Sequence, residues 1–139
     1  MTSILLVEDN LCFSRHCSSY FERKGHFVHT CLHGRSIEEI KGGLAYDVLV
    51  VDFHSDNGEV IREGNRVRVM TGNDVIQTSR EYNRDVSVIS ISCYDGGFGE
   101  PDGYLTKPFK MEELEALIEM VVPRKKREVE SRVGLGKRK

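Results

Sequence analysis

The sequence predicts a doubly wound α/β domain built on a parallel sheet. Three observations carry this. Short runs of apolar residues recur along the chain without the apolar–polar alternation of a half-exposed strand, the pattern of strands covered on both faces. Amphipathic segments of helical length lie between those runs, and strand–helix alternation winds a parallel sheet with right-handed crossovers. The chain has 139 residues with 39% hydrophobic content, enough for one ordinary domain with its own core.

The elements follow in order. Residues 3–7 form the first strand and end at Glu8 and Asp9. Asn10 is placed as an N-cap for a helix reaching Lys24, with Phe13, Cys17, Tyr20 and Phe21 at helical spacing and Gly25 as its stop. Residues 27–31 read as a second strand, and Ser36 with Glu39 forms a capping box that opens a short helix closed by Gly42 and Gly43. Residues 46–51 are the most apolar strand and run into Asp52. A helix is expected over 73–82, a strand over 86–91 ending at Ser92, and a short strand over 103–106 leading to Lys107 and Pro108. In the last helix Met111, Leu114, Leu117, Ile118 and Val121 line one face and Glu112, Glu113, Glu115 and Glu119 the other, with Pro123 expected to end it.

Composition narrows the function classes. The net charge of −2 divides unevenly: residues 124–139 hold eight basic and two acidic residues, which leaves 12 basic and 20 acidic residues in the body, 1–122. A body at −8 argues against nucleic-acid binding by the domain itself, and the basic tail, 123–139, reads as a flexible, solvated segment. No apolar run approaches a membrane span, and the first apolar stretch is too short for a secretory signal, so a cytoplasmic location with no membrane partner is expected. Cys12, Cys17, Cys31 and Cys93 form no Cys-x-x-Cys pair and read as reduced thiols. His29, Cys31 and His33 alternate on the second strand, with Cys12 and His16 on the first helix. Packing and a strand edge explain these residues more simply than a soft-metal site.

The chemistry lies at the strand ends. Four strands each finish in polar residues: Glu8 and Asp9, Asp52, Ser92, and Lys107. In an open parallel sheet the carboxyl ends of the strands share one edge, where ligands bind, so these residues converge although they are distant in sequence. Three neighbouring carboxylates repel one another, and burial raises the cost. Lys107 offsets one charge. A divalent cation with oxygen ligands, Mg²⁺ by preference, offsets the rest. Such a pocket suits phosphoryl transfer, which needs positioning and charge neutralisation.

The segments 4–10, 47–52, 88–92 and 104–109 resemble, in order, the signature segments of response-regulator receiver domains of the chemotaxis-regulator type, and the resemblance covers most of 1–122. It implies a flavodoxin-like, five-stranded parallel sheet in the order 2-1-3-4-5. It implies that Asp52 is the phosphoacceptor, taking its phosphoryl group from a histidine kinase or phosphotransfer protein. Glu8, Asp9, Asp52 and the backbone carbonyl of His54 would hold Mg²⁺. Lys107 and Ser92 would bind the phosphoryl group, Tyr104 would move with Ser92, and the small Cys93 would leave access to the aspartate. His54 and Tyr94 flank the pocket where hydrolysis is tuned, and a cis Lys107–Pro108 bond would aim the lysine inward. The resulting expectation is a stand-alone receiver in a phosphorelay that signals through an unidentified downstream protein. With no cap domain or general acid near Asp52, it is a phosphoacceptor rather than an enzyme. The alternative is a pseudo-receiver, a protein-binding module that works without phosphorylation.

Two departures from the family pattern stand out. Met70-Thr-Gly resembles the turn that opens the third helix, yet it comes 18 residues after Asp52. The intervening stretch, about 57–69, alternates on both sides of Gly64-Asn65 and reads as an inserted β-hairpin. Between Ser92 and Lys107 lie only 14 residues, and four glycines and a proline fall in the ten residues 94–103. That composition does not hold a regular helix, so the fourth helix of the family is expected to be shortened or missing.

Overall fold

The computed structural model describes residues 1–54, 58–92 and 99–137, with side chains as far as 132. Five parallel strands, β1 (Ser3–Val7), β2 (Phe27–Cys31), β3 (Val48–Asp52), β6 (Ser87–Ser92) and β7 (Gly103–Thr106), form one sheet in the order β2-β1-β3-β6-β7. In sheet-strand numbering this is the expected 2-1-3-4-5. The helices are α1 (Leu11–Glu22), α2 (His33–Lys41), α3 (Gly72–Tyr82) and α4 (Met111–Lys137). Between β3 and α3 stands the inserted hairpin, β4 (Val60–Glu63) antiparallel to β5 (Arg66–Val69). Among the described residues no helix lies between β6 and β7.

Side-chain alternation along the strands splits the core in two. Ile4, Leu6, Val48, Val50, Ile89 and Ile91 point to one face, where Phe21 of α1 and Leu114 and Ile118 of α4 cover them. Leu5, Val7, Leu49, Val51 and Val88 point to the other, under Ile40 of α2 and Val75 and Ile76 of α3. Each such side chain contributes about 1.5–3 kcal/mol on full burial. This two-sided covering is why the strand segments carry no polar alternation.

Local signals explain most boundaries. The Asn10 side chain accepts from the Phe13 amide at 3.0 Å and starts α1. Thr71 caps α3 in a full capping box with Asp74, a signal the sequence reading passed over. The hairpin turns at Gly64, φ 63, with positive φ at the first central position and not the second, which suits glycine there.

Three expectations are corrected. The capping box at Ser36 does not open α2. The helix starts at His33, and the Ser36 hydroxyl donates to the His33 carbonyl at 2.6 Å. Its N-cap, Leu32, offers no side-chain bond, and the free Gly34 amide is satisfied instead by Glu59 Oε2, 2.8 Å away at the base of the hairpin. His33 therefore belongs to a helix and is fully buried, not at a strand edge. Nor does Pro123 end the last helix, which continues to Lys137 with the proline inside it. An internal proline costs about 3 kcal/mol. Here the following segment is anchored back on the domain: Lys125 pairs with Asp102 at 3.1 Å, Arg124 donates to the Asp102 carbonyl at 3.1 Å, and Arg132 meets Asp85 at 3.0 Å. No helix among the described residues is long and apolar enough to cross a membrane.

Candidate functional site

Sheet register brings the strand-end residues to one edge. Val7 lies beside Val51, Asp52 beside Ile91, and Ser92 beside Thr106. One residue further, Glu8 and Lys107 reach the same place. Lys107 Nζ sits 2.7 Å from Glu8 Oε2 and 3.0 Å from Asp52 Oδ2, bridging two carboxylates from different strands. The Lys107–Pro108 bond is cis. The lysine's own amide donates to the Ser92 carbonyl at 2.6 Å, which ties the end of β7 to the end of β6.

Each carboxylate is also held by backbone. Asn10 N–H donates to Glu8 Oε1 at 3.1 Å, and His54 N–H to Asp52 Oδ1 at 3.0 Å. Glu8 and Asp52 are both buried, and Asp9 is half-buried. One ligand oxygen from each of Glu8, Asp9 and Asp52 lies within 4.8 Å of the other two. Burial, with the Asp52 charge adding to it, raises the Glu8 carboxyl well above the ordinary carboxylate range, although Lys107 opposes this. Lys107 is itself raised: burial alone would lower it, and the bonds to Glu8 and Asp52 overcome that. One ammonium is therefore too little positive charge for three carboxylates. An all-oxygen donor set with excess negative charge fits a hard divalent cation, because each oxygen keeps a second lone pair beyond its present bond.

Two further residues complete the frame, and sequence reasoning missed both. His33 Nε2 lies 2.7 Å from the Asp52 carbonyl, which can only accept, so the ring donates and pins the backbone of the aspartate. Phe13, on the first turns of α1, places its ring 4.7 Å below Lys107 Nζ. His33 carried no signal because it lies about one turn before the expected helix start at Ser36. Phe13 read only as an apolar helix position. Gly72 closes the back of the site. Its amide donates to the Phe53 carbonyl at 2.7 Å, and a Cβ there would lie 2.6 Å from the Asp52 carbonyl oxygen.

The remaining expected residues divide. Ser92 is buried at the end of β6, and the His54 ring stacks edge-on with Phe53 at 5.1 Å. Tyr104 stands outside the pocket, 56% exposed on the edge strand β7. Cys93 and Tyr94 lie outside the described residues, as does Asn57 at the expected start of the hairpin.

Comparison with known proteins agrees with this architecture. No family model matches the chain. It is 25% identical over 137 residues to hybrid signal transduction histidine kinase K of Dictyostelium discoideum, a match that covers 89% of this chain. The chain spans 11% of the length of that relative. A response regulator receiver protein from Sinorhizobium medicae superposes with a TM-score of 0.75 at 22% identity, covering 89% of this chain and 96% of its own. A Thermotoga maritima response regulator, solved in complex with Mg(2+)-BeF, gives 0.68 at 18% identity, over 87% and 99%. The chain has the response-regulator receiver fold.

Proposed function

We propose that this chain is a phosphoacceptor in two-component signalling, with Asp52 as the residue modified. The observation that carries the reading is one buried strand-end carboxylate, Asp52, that shares a lysine with Glu8 and has an oxygen within 4.8 Å of oxygens of Glu8 and Asp9. An Asp52 oxygen attacks the phosphorus of a phosphohistidine on a histidine kinase or phosphotransfer protein. The P–N bond breaks with its electron pair leaving on the imidazole, and an acyl phosphate forms on Asp52.

The chain's own groups serve that step. Lys107 turns from Glu8 and Asp52 toward the incoming phosphoryl oxygens, and the Ser92 hydroxyl donates to another. His33 and the His54 amide hold the aspartate in place. Mg²⁺ held by Glu8, Asp9, Asp52 and the His54 carbonyl supplies, when bound, the positive charge that one lysine cannot. Ser92 and Tyr104 form the switch pair: the hydroxyl engages the phosphoryl group and the exposed ring moves toward the space it leaves. Cys93 leaves access to the aspartate, and His54 and Tyr94 tune the hydrolysis that resets the switch. The output is the binding of a downstream protein.

The second reading, a binding module independent of phosphorylation, is favoured by one observation: the inserted hairpin is anchored to both α2 and α3, a built surface that needs no modification to exist. Incubation with phosphoramidate and Mg²⁺, followed by intact mass, separates the two. Gain of a single phosphoryl group that is absent in Asp52→Asn supports the first. An unchanged mass leaves the second, and an undiminished gain in Asp52→Asn rejects Asp52 as the residue modified.

A further inference from the structure

Outside the acidic pocket, one other cluster of metal-binding side chains stands among the described residues. His29 and Cys31 occupy alternate positions of β2, so both point to the same face of that strand. β2 is an edge strand of the sheet, and α2 follows it directly in the chain. From α2, Glu39 reaches back to the same spot. One ligand atom each from His29, Cys31 and Glu39 lies within 4.8 Å of the other two.

The three donors differ from those of the phosphoryl pocket. That site offers only oxygens. This one offers an imidazole nitrogen, a thiol sulfur and one carboxylate. Nitrogen and sulfur donors select a borderline-soft ion such as Zn²⁺ and reject Mg²⁺ or Ca²⁺. We infer that His29, Cys31 and Glu39 form a three-ligand site for Zn²⁺ or a similar first-row transition-metal ion, with a water in the fourth position.

The geometry supports this in three ways. His29 Nε2 and Glu39 Oε2 already meet at 2.5 Å, so the imidazole and the carboxylate are aimed at one point. A metal takes the place of the proton between them. Donors of a tetrahedral zinc site lie roughly 3.3–3.7 Å apart, given bonds of about 2.0–2.3 Å. His29 and Glu39 therefore open slightly while Cys31 closes in, a movement on the scale of a side-chain torsion. The other oxygen of Glu39 is held by Arg35 Nε at 3.1 Å, which orients the carboxylate in the way an outer-shell partner does. The Arg35 head is 67% exposed and can swing into water when a cation arrives. Cys31 is a free thiol. On coordination the S–H bond breaks, the proton passes to buffer, and the thiolate sulfur bonds the metal with no change of oxidation state.

Cobalt(II), a spectroscopic stand-in for Zn²⁺, tests the inference on the full chain with its thiols reduced and excess Mg²⁺ present. Saturation at one equivalent, a near-ultraviolet thiolate-to-cobalt band and displacement by Zn²⁺ are expected. Cys31→Ser removes the band, and His29→Ala, at an exposed position that leaves the fold intact, weakens binding at least tenfold. Cys12→Ser and Asp9→Ala leave both signals unchanged, which separates this site from the exposed thiol of α1 and from the acidic pocket. A band that survives Cys31→Ser, an affinity indifferent to His29→Ala, or no saturable signal overturns it.

Discussion

Two buried carboxylates and one lysine are the smallest unit on which the proposed function rests. Lys107 is the only positive side chain within bonding distance of Glu8 and Asp52 among the described residues, and removing it strands both. Losing one partner of a buried pair costs about 3–5 kcal/mol when burial is complete. For Lys107→Ala we expect the low end, about 3 kcal/mol, because its head is partly open to water. Urea unfolding measures this, and saturating Mg²⁺ should recover part of the loss in Lys107→Ala. The acids and the lysine were legible because each ends an apolar strand, and parallel topology sends all strand ends to one edge. His33 and Phe13 were not, since their roles depend on where α1 and α2 come to lie against the sheet. Tyr104 was placed correctly on its strand, but its exposure depends on what covers β7.

At the scale of elements, the inserted hairpin is tied to the helices that frame the site. Glu59 caps α2, whose first residue, His33, holds the Asp52 carbonyl. Arg68 makes a two-pronged bond to Asp74, at 3.0 and 2.6 Å, and Asp74 also completes the cap of α3 by accepting from Thr71 N–H at 2.9 Å. Burial works to raise the Asp74 carboxyl, but the bonds from Arg68 and Thr71 prevail and hold it below its ordinary value of 3.8. A folded value below the unfolded one gives stability that is present above pH 3.8 and is lost as pH falls through the folded value. Hydrogen exchange of the β4 and β5 amides should thus quicken below about pH 3.8 relative to those of β1 and β3, and Asp74→Asn should remove that difference. The second element-scale prediction concerns Gly72. Gly72→Ala drives a methyl against the Asp52 carbonyl and Phe53 Cα, which would lie 2.6 and 2.8 Å away. Destabilisation of about 2 kcal/mol or more is expected from thermal melts, together with slower phosphorylation as the aspartate backbone shifts. The hairpin could be read from alternation and its Gly-Asn turn. Its tie to α2 through Glu59 and Gly34, and the passage of α4 through Pro123, could not, because both depend on contacts to residues far away in sequence.

The whole molecule is a balance between a well-covered parallel sheet and a charged edge. Residues 1–122 carry 20 acidic against 12 basic residues, and the pocket concentrates three of the acids beside one lysine. A cation that binds only the folded chain stabilises it by mass action, about 2.7 kcal/mol at one hundred times its Kd. The Tm should rise with Mg²⁺ concentration above pH 7, and Asp9→Ala should flatten that rise. Two-sided burial was legible at this scale from the continuous apolar strand runs, and the sheet order from the family resemblance that the strand-end segments carry. The short connection between β6 and β7 was legible from its glycines. The central claim, that Asp52 is the phosphoacceptor, is tested most directly by locating the modified residue. After phosphorylation, borohydride reduces an aspartyl phosphate to homoserine, and peptide mass spectrometry then finds the position. Homoserine at position 52 and nowhere else, formed only with Mg²⁺ present, is the predicted result. A label at another residue, or none at position 52 under saturating phosphodonor and Mg²⁺, would contradict it.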